Sequence, residues 1–192
     1  MKLREHINKN EIFSLPNMIS YIRILLIPVW VWAFFAMPES YLALALLIVS
    51  GLSDMLDGFI ARHFGMITNW GKIIDPIADK LTQFTVIVCL AVEFSALWYI
   101  LSVFVIKDLF LAIGGYALLR RNGKTVGGAQ WFGKICTVMF YGIICILLIS
   151  TLPNVPLGTG LTNILILIFF ASAVLALVMY AIQIFRLWNS KD

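Results

Sequence analysis

Four aspartates within a stretch of 26 residues, in a chain that is otherwise mostly apolar, constrain this sequence more than anything else in it. The stretch reads Asp54-Met-Leu-Asp57-Gly58-Phe-Ile-Ala61-Arg62, then eight residues, then Gly71-Lys-Ile-Ile-Asp75-Pro-Ile-Ala-Asp79. On a helix, Asp54, Asp57, Gly58 and Ala61 fall at i, i+3, i+4 and i+7 and share one face. On a second helix, Gly71, Asp75 and Asp79 line one face at spacings of four. The residues between, His63 to Trp70, are few enough for a short turn. Two antiparallel helices would then aim four carboxylates into one gap, with Gly and Ala allowing close backbone approach.

Four like charges in one gap repel. An Asp at the centre of a membrane helix costs roughly 2.5–3.5 kcal/mol even on the mild insertion scale. Hard divalent cations compensate naturally, because Mg²⁺ and Mn²⁺ prefer carboxylate oxygens. Two such ions would balance four Asp, and paired ions commonly clamp a phosphoryl group during displacement. The plainer alternative makes these Asp helix caps, or pairs them with Arg62, Lys72 and Lys80.

The setting of the motif is a membrane. Of 192 residues, 61% are hydrophobic and only 12% charged, far outside the soluble range. The length suits about six spans of roughly 20 residues with short loops. The expected fold is therefore all-α: a polytopic six-helix transmembrane bundle forming one domain over residues 1–192. The spans fall near residues 18–36, 41–62, 72–92, 97–119, 132–150 and 162–185. Ahead of them, Leu3, Ile7, Ile12, Phe13 and Leu15 predict a short interfacial helix on the membrane surface, with a disordered tail as the other reading of residues 1–9. Leu15-Pro16-Asn17 reads as a break before the first span. The first apolar run, from Met18, is too long and too late for a cleavable signal peptide. Cys89, Cys136 and Cys145 lie in apolar runs without ligand spacing, which argues against a disulfide frame or a zinc site.

Charge placement sets the topology. With six spans, all fourteen Lys and Arg lie inside a span or on the side of the termini, the 63–71 turn and the 120–131 loop. The opposite loops carry only Glu39 and Glu93 as charges. The positive-inside rule then puts both termini and the Asp motif towards the cytoplasm of what is expected to be a bacterial cell membrane. Two charged positions inside spans need partners. Arg23 either snorkels to orient its span or reaches an anionic group. Lys107 and Asp108 are adjacent and point in different directions on a helix, so they are not expected simply to neutralise each other.

The pattern Asp-x2-Asp-Gly-x2-Ala-Arg-x8-Gly-x3-Asp-x3-Asp resembles that of the CDP-alcohol phosphatidyltransferases, and this chain carries every fixed letter at every spacing. The resemblance implies transfer of a phosphatidyl group from CDP-diacylglycerol to an alcohol, with release of CMP, in phospholipid biosynthesis. It implies two Mg²⁺ or Mn²⁺ ions on Asp54, Asp57, Asp75 and Asp79, with Asp79 also the general base. It places the CDP donor on Asp54, Gly58, Ala61, Arg62 and Gly71: Gly58 lets a nucleotide approach the helix, Arg62 can fork onto a phosphate, and Gly71 lies near the cytidine. Helix packing alone is the other reading of Gly58 and Gly71. A homodimer is also implied.

Acceptor residues are expected among Lys107, Arg120, Lys134 and Arg23. Asn17-x2-Ser20-x2-Arg23 is similar to a family Asn-x2-Thr-x2-Arg signature, with Ser keeping the hydroxyl. Gly133-Lys134-x2-Thr137 and Gly71-Lys72-x2-Asp75-Pro76-x-Ala78-Asp79-Lys80 resemble phosphatidylglycerophosphate synthases, which implies glycerol 3-phosphate as acceptor. Those synthases usually carry Arg-Glu where this chain has Lys107-Asp108, while the CDP-alcohol type of cardiolipin synthase often carries Arg-Asp. Phosphatidylglycerol is therefore the rival acceptor. Outside the class, a cation transporter or channel could use buried Asp as an ion path; the complete motif and the lack of obvious inverted repeats count against it.

Overall fold

The computed structural model describes residues 14–64, 66, 68, 70–122, 131–152, 155 and 157–189, without the side chains of Arg62, Lys72, Asn122 and residues 131–134. The expected N-terminal interfacial helix and most of the expected basic loop lie outside the described residues. Among those described, all regular structure is helical, in six elements: α1 Leu15–Ala36, α2 Leu42–His63, α3 Gly71–Glu93, α4 Leu97–Asn122, α5 Trp131–Ser150 and α6 Thr159–Asn189. The boundaries fall within four residues of those expected from hydropathy.

Four helices, α1, α2, α4 and α6, are long and apolar enough to cross a membrane, which makes the chain an integral membrane protein. In α3, Lys72, Asp75, Asp79, Lys80 and Glu93 dilute the apolar run. In α5, the stretch Ile135–Ser150 is apolar but shorter. Large apolar side chains face outward on every helix, among them Leu25, Met55, Phe84, Ile113, Val138 and Leu167. In water such a surface would be a liability; against lipid it is the expected exterior.

One expectation is corrected at the start of α1. Leu15-Pro16-Asn17 does not break the chain before the span, because Pro16 lies in the first turn of the helix. A missing N–H is harmless there, since that N–H has no intrahelical partner.

The helices fall into two compact units, Met1–Cys89 with Thr151–Val155, and Leu90–Ser150 with Pro156–Asp192. In the first, α1 and α2 run antiparallel: Trp30 meets Ala43 while Arg23, seven residues earlier, meets Asp54. The buried Trp30 indole donates to the Ala43 carbonyl at 2.9 Å and stacks on Phe34, satisfying its one polar atom while filling the core. Ala33 and Leu47 are buried nearby in sequence on the same pair of helices.

The start of α3 is fixed by a hydroxyl. Thr68 Oγ accepts the Gly71 backbone N–H at 2.9 Å, as a capping residue does, and the Asn17 amide at 3.1 Å. Trp70 Nε1 donates to the Tyr21 hydroxyl at 2.5 Å. Both contacts tie the α2–α3 connection to α1. They leave no room at Gly71: a Cβ there would stand 2.6 Å from Asn17 Oδ1 and 2.9 Å from Thr68 Oγ1.

In the second unit, Phe104 of α4, Phe140 of α5 and Phe169 of α6 form a triad with ring centroids 5.8–6.0 Å apart. Phe140 and Phe169 are fully buried. Gly114 of α4 lets Ile184 of α6 close in, since a Cβ there would meet Ile184 Cδ1 at 2.7 Å. Arg121 lies over the Trp188 ring at 4.3 Å, joining the last turns of α4 and α6.

Gly71→Ala should lower stability by about 1–3 kcal/mol through overpacking against the Asn17–Thr68 pair. Thermal melting in detergent reads this. Adding Asn17→Ala should cost less than the sum of the single changes, because the clashing amide is gone. Strict additivity would show that this contact is not what excludes a side chain.

Candidate active site

Asp54 and Asp57 lie on α2 and Asp75 and Asp79 on α3, and the structure brings all four round polar side chains of α1. Arg23 is the centre. Its side chain has no exposed surface. Nη1 lies 2.9 Å from Asp54 Oδ1 and also donates to Asp79 Oδ1, so one nitrogen joins α2 to α3. Nη2 donates to Asp57 Oδ2. One turn earlier, the Ser20 hydroxyl donates to Asp75 Oδ1 at 2.5 Å and stands 3.4 Å from Asp57 Oδ2. Both hydroxyl and guanidinium are held on one stripe of α1, because Asn17, Ser20 and Arg23 recur at i, i+3 and i+6 and are all buried.

The cluster is closed on one side and open on the other. The Asp57 side chain is 3% exposed, whereas Asp54 and Asp79 are 33% and 30% exposed. A charged substrate can reach the outer pair; Asp57 is held inside. Four carboxylates share this gap, and Arg23 brings one positive charge to three of them. At an effective dielectric near 20, two like charges about 4 Å apart repel by roughly 4 kcal/mol. The gap remains attractive to further cations.

Two expectations change here. Arg23 does not snorkel: the anionic groups it reaches are the motif carboxylates themselves. It also adds a partner for Asp54, Asp57 and Asp79 beyond Arg62, Lys72 and Lys80, which the plainer alternative offered; the side chains of Arg62 and Lys72 lie outside the described residues. The partnership of Ser20 and Arg23 with these Asp was not drawn from the sequence. Its signal was present: a polar stripe at helical spacing on an otherwise apolar span.

Among the described residues, no three His, Cys, Asp or Glu side chains form a ready chelating group. Three of the four carboxylates instead point oxygens at Arg23. The donor set nevertheless fits a hard divalent ion. It is all oxygen, it comes from two helices, and it already surrounds a single cationic group that touches both.

Of the other predicted residues, Gly58 and Ala61 are half-buried on the Asp-bearing helix α2. Gly71 is buried against Asn17 and Thr68. The side chains of Arg62 and Lys134 lie outside the described residues. Lys107 and Arg120 belong to the second unit. Arg120 is exposed in the last turn of α4, where a cation complements the helix dipole. Lys107 is 8% exposed, 4.3 Å over the Phe104 ring, with Nζ 3.6 Å from Asp108 Oδ1. That corrects the expectation for this pair: neighbouring residues diverge at Cβ, but the long Lys stem swings back and the two charges meet.

The family model for CDP-alcohol phosphatidyltransferase matches residues 13–188. A CDP-diacylglycerol–glycerol-3-phosphate 3-phosphatidyltransferase of Bacillus subtilis is 31% identical, covering 73% of this chain and 79% of that protein. A cardiolipin synthase (CMP-forming) of Streptomyces coelicolor is 31% identical, covering 75% and 69%. A Mycobacterium tuberculosis protein provisionally named as a cardiolipin synthase is 32% identical over 70% of this chain; the match spans 64% of that relative's length. With the match running across all six helices, this chain belongs to the CDP-alcohol phosphatidyltransferase family.

Proposed function

We propose that this protein transfers a phosphatidyl group from CDP-diacylglycerol to glycerol 3-phosphate, giving phosphatidylglycerophosphate and CMP. The observation that carries the reading is the convergence of the four motif carboxylates from two helices, in a chain matched to the family over residues 13–188. The Bacillus subtilis relative is named for this reaction. The full arrangement proposed is six membrane spans in one domain, with the acidic gap facing the cytoplasm, where a nucleotide-linked substrate is made, and two chains forming a homodimer.

Asp54, Asp57, Asp75 and Asp79 would hold two Mg²⁺ or Mn²⁺ ions. When bound, such ions screen the donor's diphosphate and stabilise the departing CMP. The rest falls to the chain's own groups. The acceptor's hydroxyl oxygen attacks the phosphorus of the phosphatidyl phosphate. The bond from that phosphorus to the oxygen of CMP breaks, and CMP leaves. The hydroxyl proton passes to the Asp79 carboxylate, which is partly exposed and therefore reachable. Gly58, Ala61, Arg62 and Gly71 are assigned to the CDP moiety. Lys107, Arg120, Lys134 and Arg23 are the cations assigned to the acceptor's phosphate, Arg23 being able to serve only on leaving the motif carboxylates that hold it.

A second acceptor has a specific observation behind it. The Streptomyces coelicolor relative is named cardiolipin synthase (CMP-forming) and is equally similar, at 31% identity. An acceptor screen on purified protein separates the two. With CDP-diacylglycerol and Mg²⁺ or Mn²⁺, CMP release should depend on glycerol 3-phosphate and stop with EDTA. Release dependent on phosphatidylglycerol, with cardiolipin as product, would move the assignment to the rival. Ion flux without CMP release would remove it from the enzyme class.

Asp79→Asn keeps the side-chain shape but cannot accept the proton. Turnover should fall by at least about 10²–10⁴-fold while the protein still folds and binds the CDP donor. Near-normal turnover would take Asp79 out of the base role. Lys107→Ala should raise the KM for the acceptor and leave donor KM unchanged. An equal rise in both would sink the acceptor assignment.

A further inference from the structure

We infer that Arg23 is a displaceable internal counter-ion, which holds the carboxylate cluster together in the absence of metal and must give up its contacts when divalent cations enter. The inference rests on the metal-binding reading above and goes beyond it. Nη1 and Nη2 together engage Asp54, Asp57 and Asp79, which are three of the four carboxylates assigned to the ions. A guanidinium hydrogen and a divalent ion cannot share the same inward face of an oxygen, and like charges at contact distance repel. Metal entry and Arg23 pairing are therefore in competition. Ser20 is placed differently. Its hydroxyl bonds Asp75 and can keep that carboxylate oriented in either state.

The structure also gives the guanidinium somewhere to lean. Beside Arg23 lies a recess of about 10 Å³, room for about one water, lined in part by Ser50, Thr82 and Thr85. The Ser50 hydroxyl is buried and has no hydrogen-bond partner among the described residues. The rest of the lining is apolar, Leu26, Ile27, Trp30, Leu46, Leu47 and Val86, so these three hydroxyls are the polar groups a small shift of the guanidinium could meet there. A buried polar atom of this kind calls for an explanation. Service as an alternative acceptor for Arg23, direct or through a water, supplies one.

The test is Mn²⁺ binding to the full chain in detergent micelles, read by electron paramagnetic resonance of free Mn²⁺, alongside thermal melting in EDTA. Arg23→Gln should bind Mn²⁺ at least about tenfold more tightly than the unaltered protein, because the internal competitor is gone. It should also melt at lower temperature in EDTA and gain more from saturating Mg²⁺. If Arg23→Gln does not fold, Arg23→Lys carries the test. A point charge cannot fork across three carboxylates, so its Mn²⁺ affinity should still exceed that of the unaltered protein. Equal or weaker Mn²⁺ binding in the variant, or unchanged melting in EDTA, overturns the inference and leaves the metal reading standing. Absence of Mn²⁺ binding in both the unaltered protein and the variant overturns the metal reading and this inference with it.

Discussion

Burial of one guanidinium among carboxylates is the interaction on which the first unit depends. An Asp at the centre of a membrane helix costs about 2.5–3.5 kcal/mol on the insertion scale, so carboxylates on α2 and α3 need partners. Arg23 reduces that cost by joining helices rather than by neutralising a single neighbour. It reaches Asp54 and Asp57 on α2 and Asp79 on α3 from α1. Lys could not do this, because its charge is a point and not a fork. Breaking one partner of a buried pair typically costs about 3–5 kcal/mol, since the other charge stays behind. Three helices are thus held at one level by electrostatics, where hydrocarbon surroundings supply no hydrophobic drive between them.

Elsewhere the helices are held by close packing. In lipid, helix association comes from van der Waals contact and interhelical hydrogen bonds, so small residues belong where backbones meet. Ala33 and Ala43 fill that role in the first unit, beside the Trp30 bond to the Ala43 carbonyl. Gly114 does so in the second, where it admits Ile184, and Ala173 and Ala176 are buried on α6. Gly71 joins the two modes. Its missing side chain lets Thr68 and Asn17 close on the start of α3. That anchoring fixes the direction in which Asp75 and Asp79 leave the turn. A packing glycine and a substrate-facing glycine are not exclusive, because a backbone pinned on one side can still present its other side to a nucleotide.

What could be read from the sequence followed from periodicity and spacing. Helix positions came from apolar runs, and the shared faces of Asp54 with Asp57 and of Asp75 with Asp79 came from 3.6-residue geometry. Tertiary pairing was the part that did not show. Nothing local says that Arg23 folds back onto residues more than thirty positions later. A lone Arg near a span's start satisfies the snorkelling pattern equally well. Lys107 and Asp108 illustrate the opposite failure. Backbone directions at adjacent positions argued against a pair, and side-chain length overrode them. Thr68 escaped notice because a single hydroxyl in a short connection carries no periodic signal, yet it caps α3 and binds Asn17.

The two halves of the proposed reaction are written in different ways. Donor chemistry needs a fixed constellation, and under the proposal the Asp motif would provide it through helix faces in one unit. Acceptor choice needs only a few correctly placed cations, and these can move or change identity without disturbing the motif. Two relatives with different names, a CDP-diacylglycerol–glycerol-3-phosphate 3-phosphatidyltransferase and a cardiolipin synthase (CMP-forming), share the same 31% identity with this chain. Overall similarity therefore cannot separate glycerol 3-phosphate from phosphatidylglycerol; discrimination has to lie in individual polar side chains. Lys107 is one of those proposed above for the acceptor. It is a buried lysine in the second unit, held against the Phe104 ring and beside Asp108. If Lys107 meets the acceptor as proposed, the dianion of glycerol 3-phosphate would compete with Asp108 for that ammonium more strongly than the singly charged phosphodiester of phosphatidylglycerol. The strength of the Lys107–Asp108 pair is thus a physical variable through which one fold could turn from one acceptor to the other.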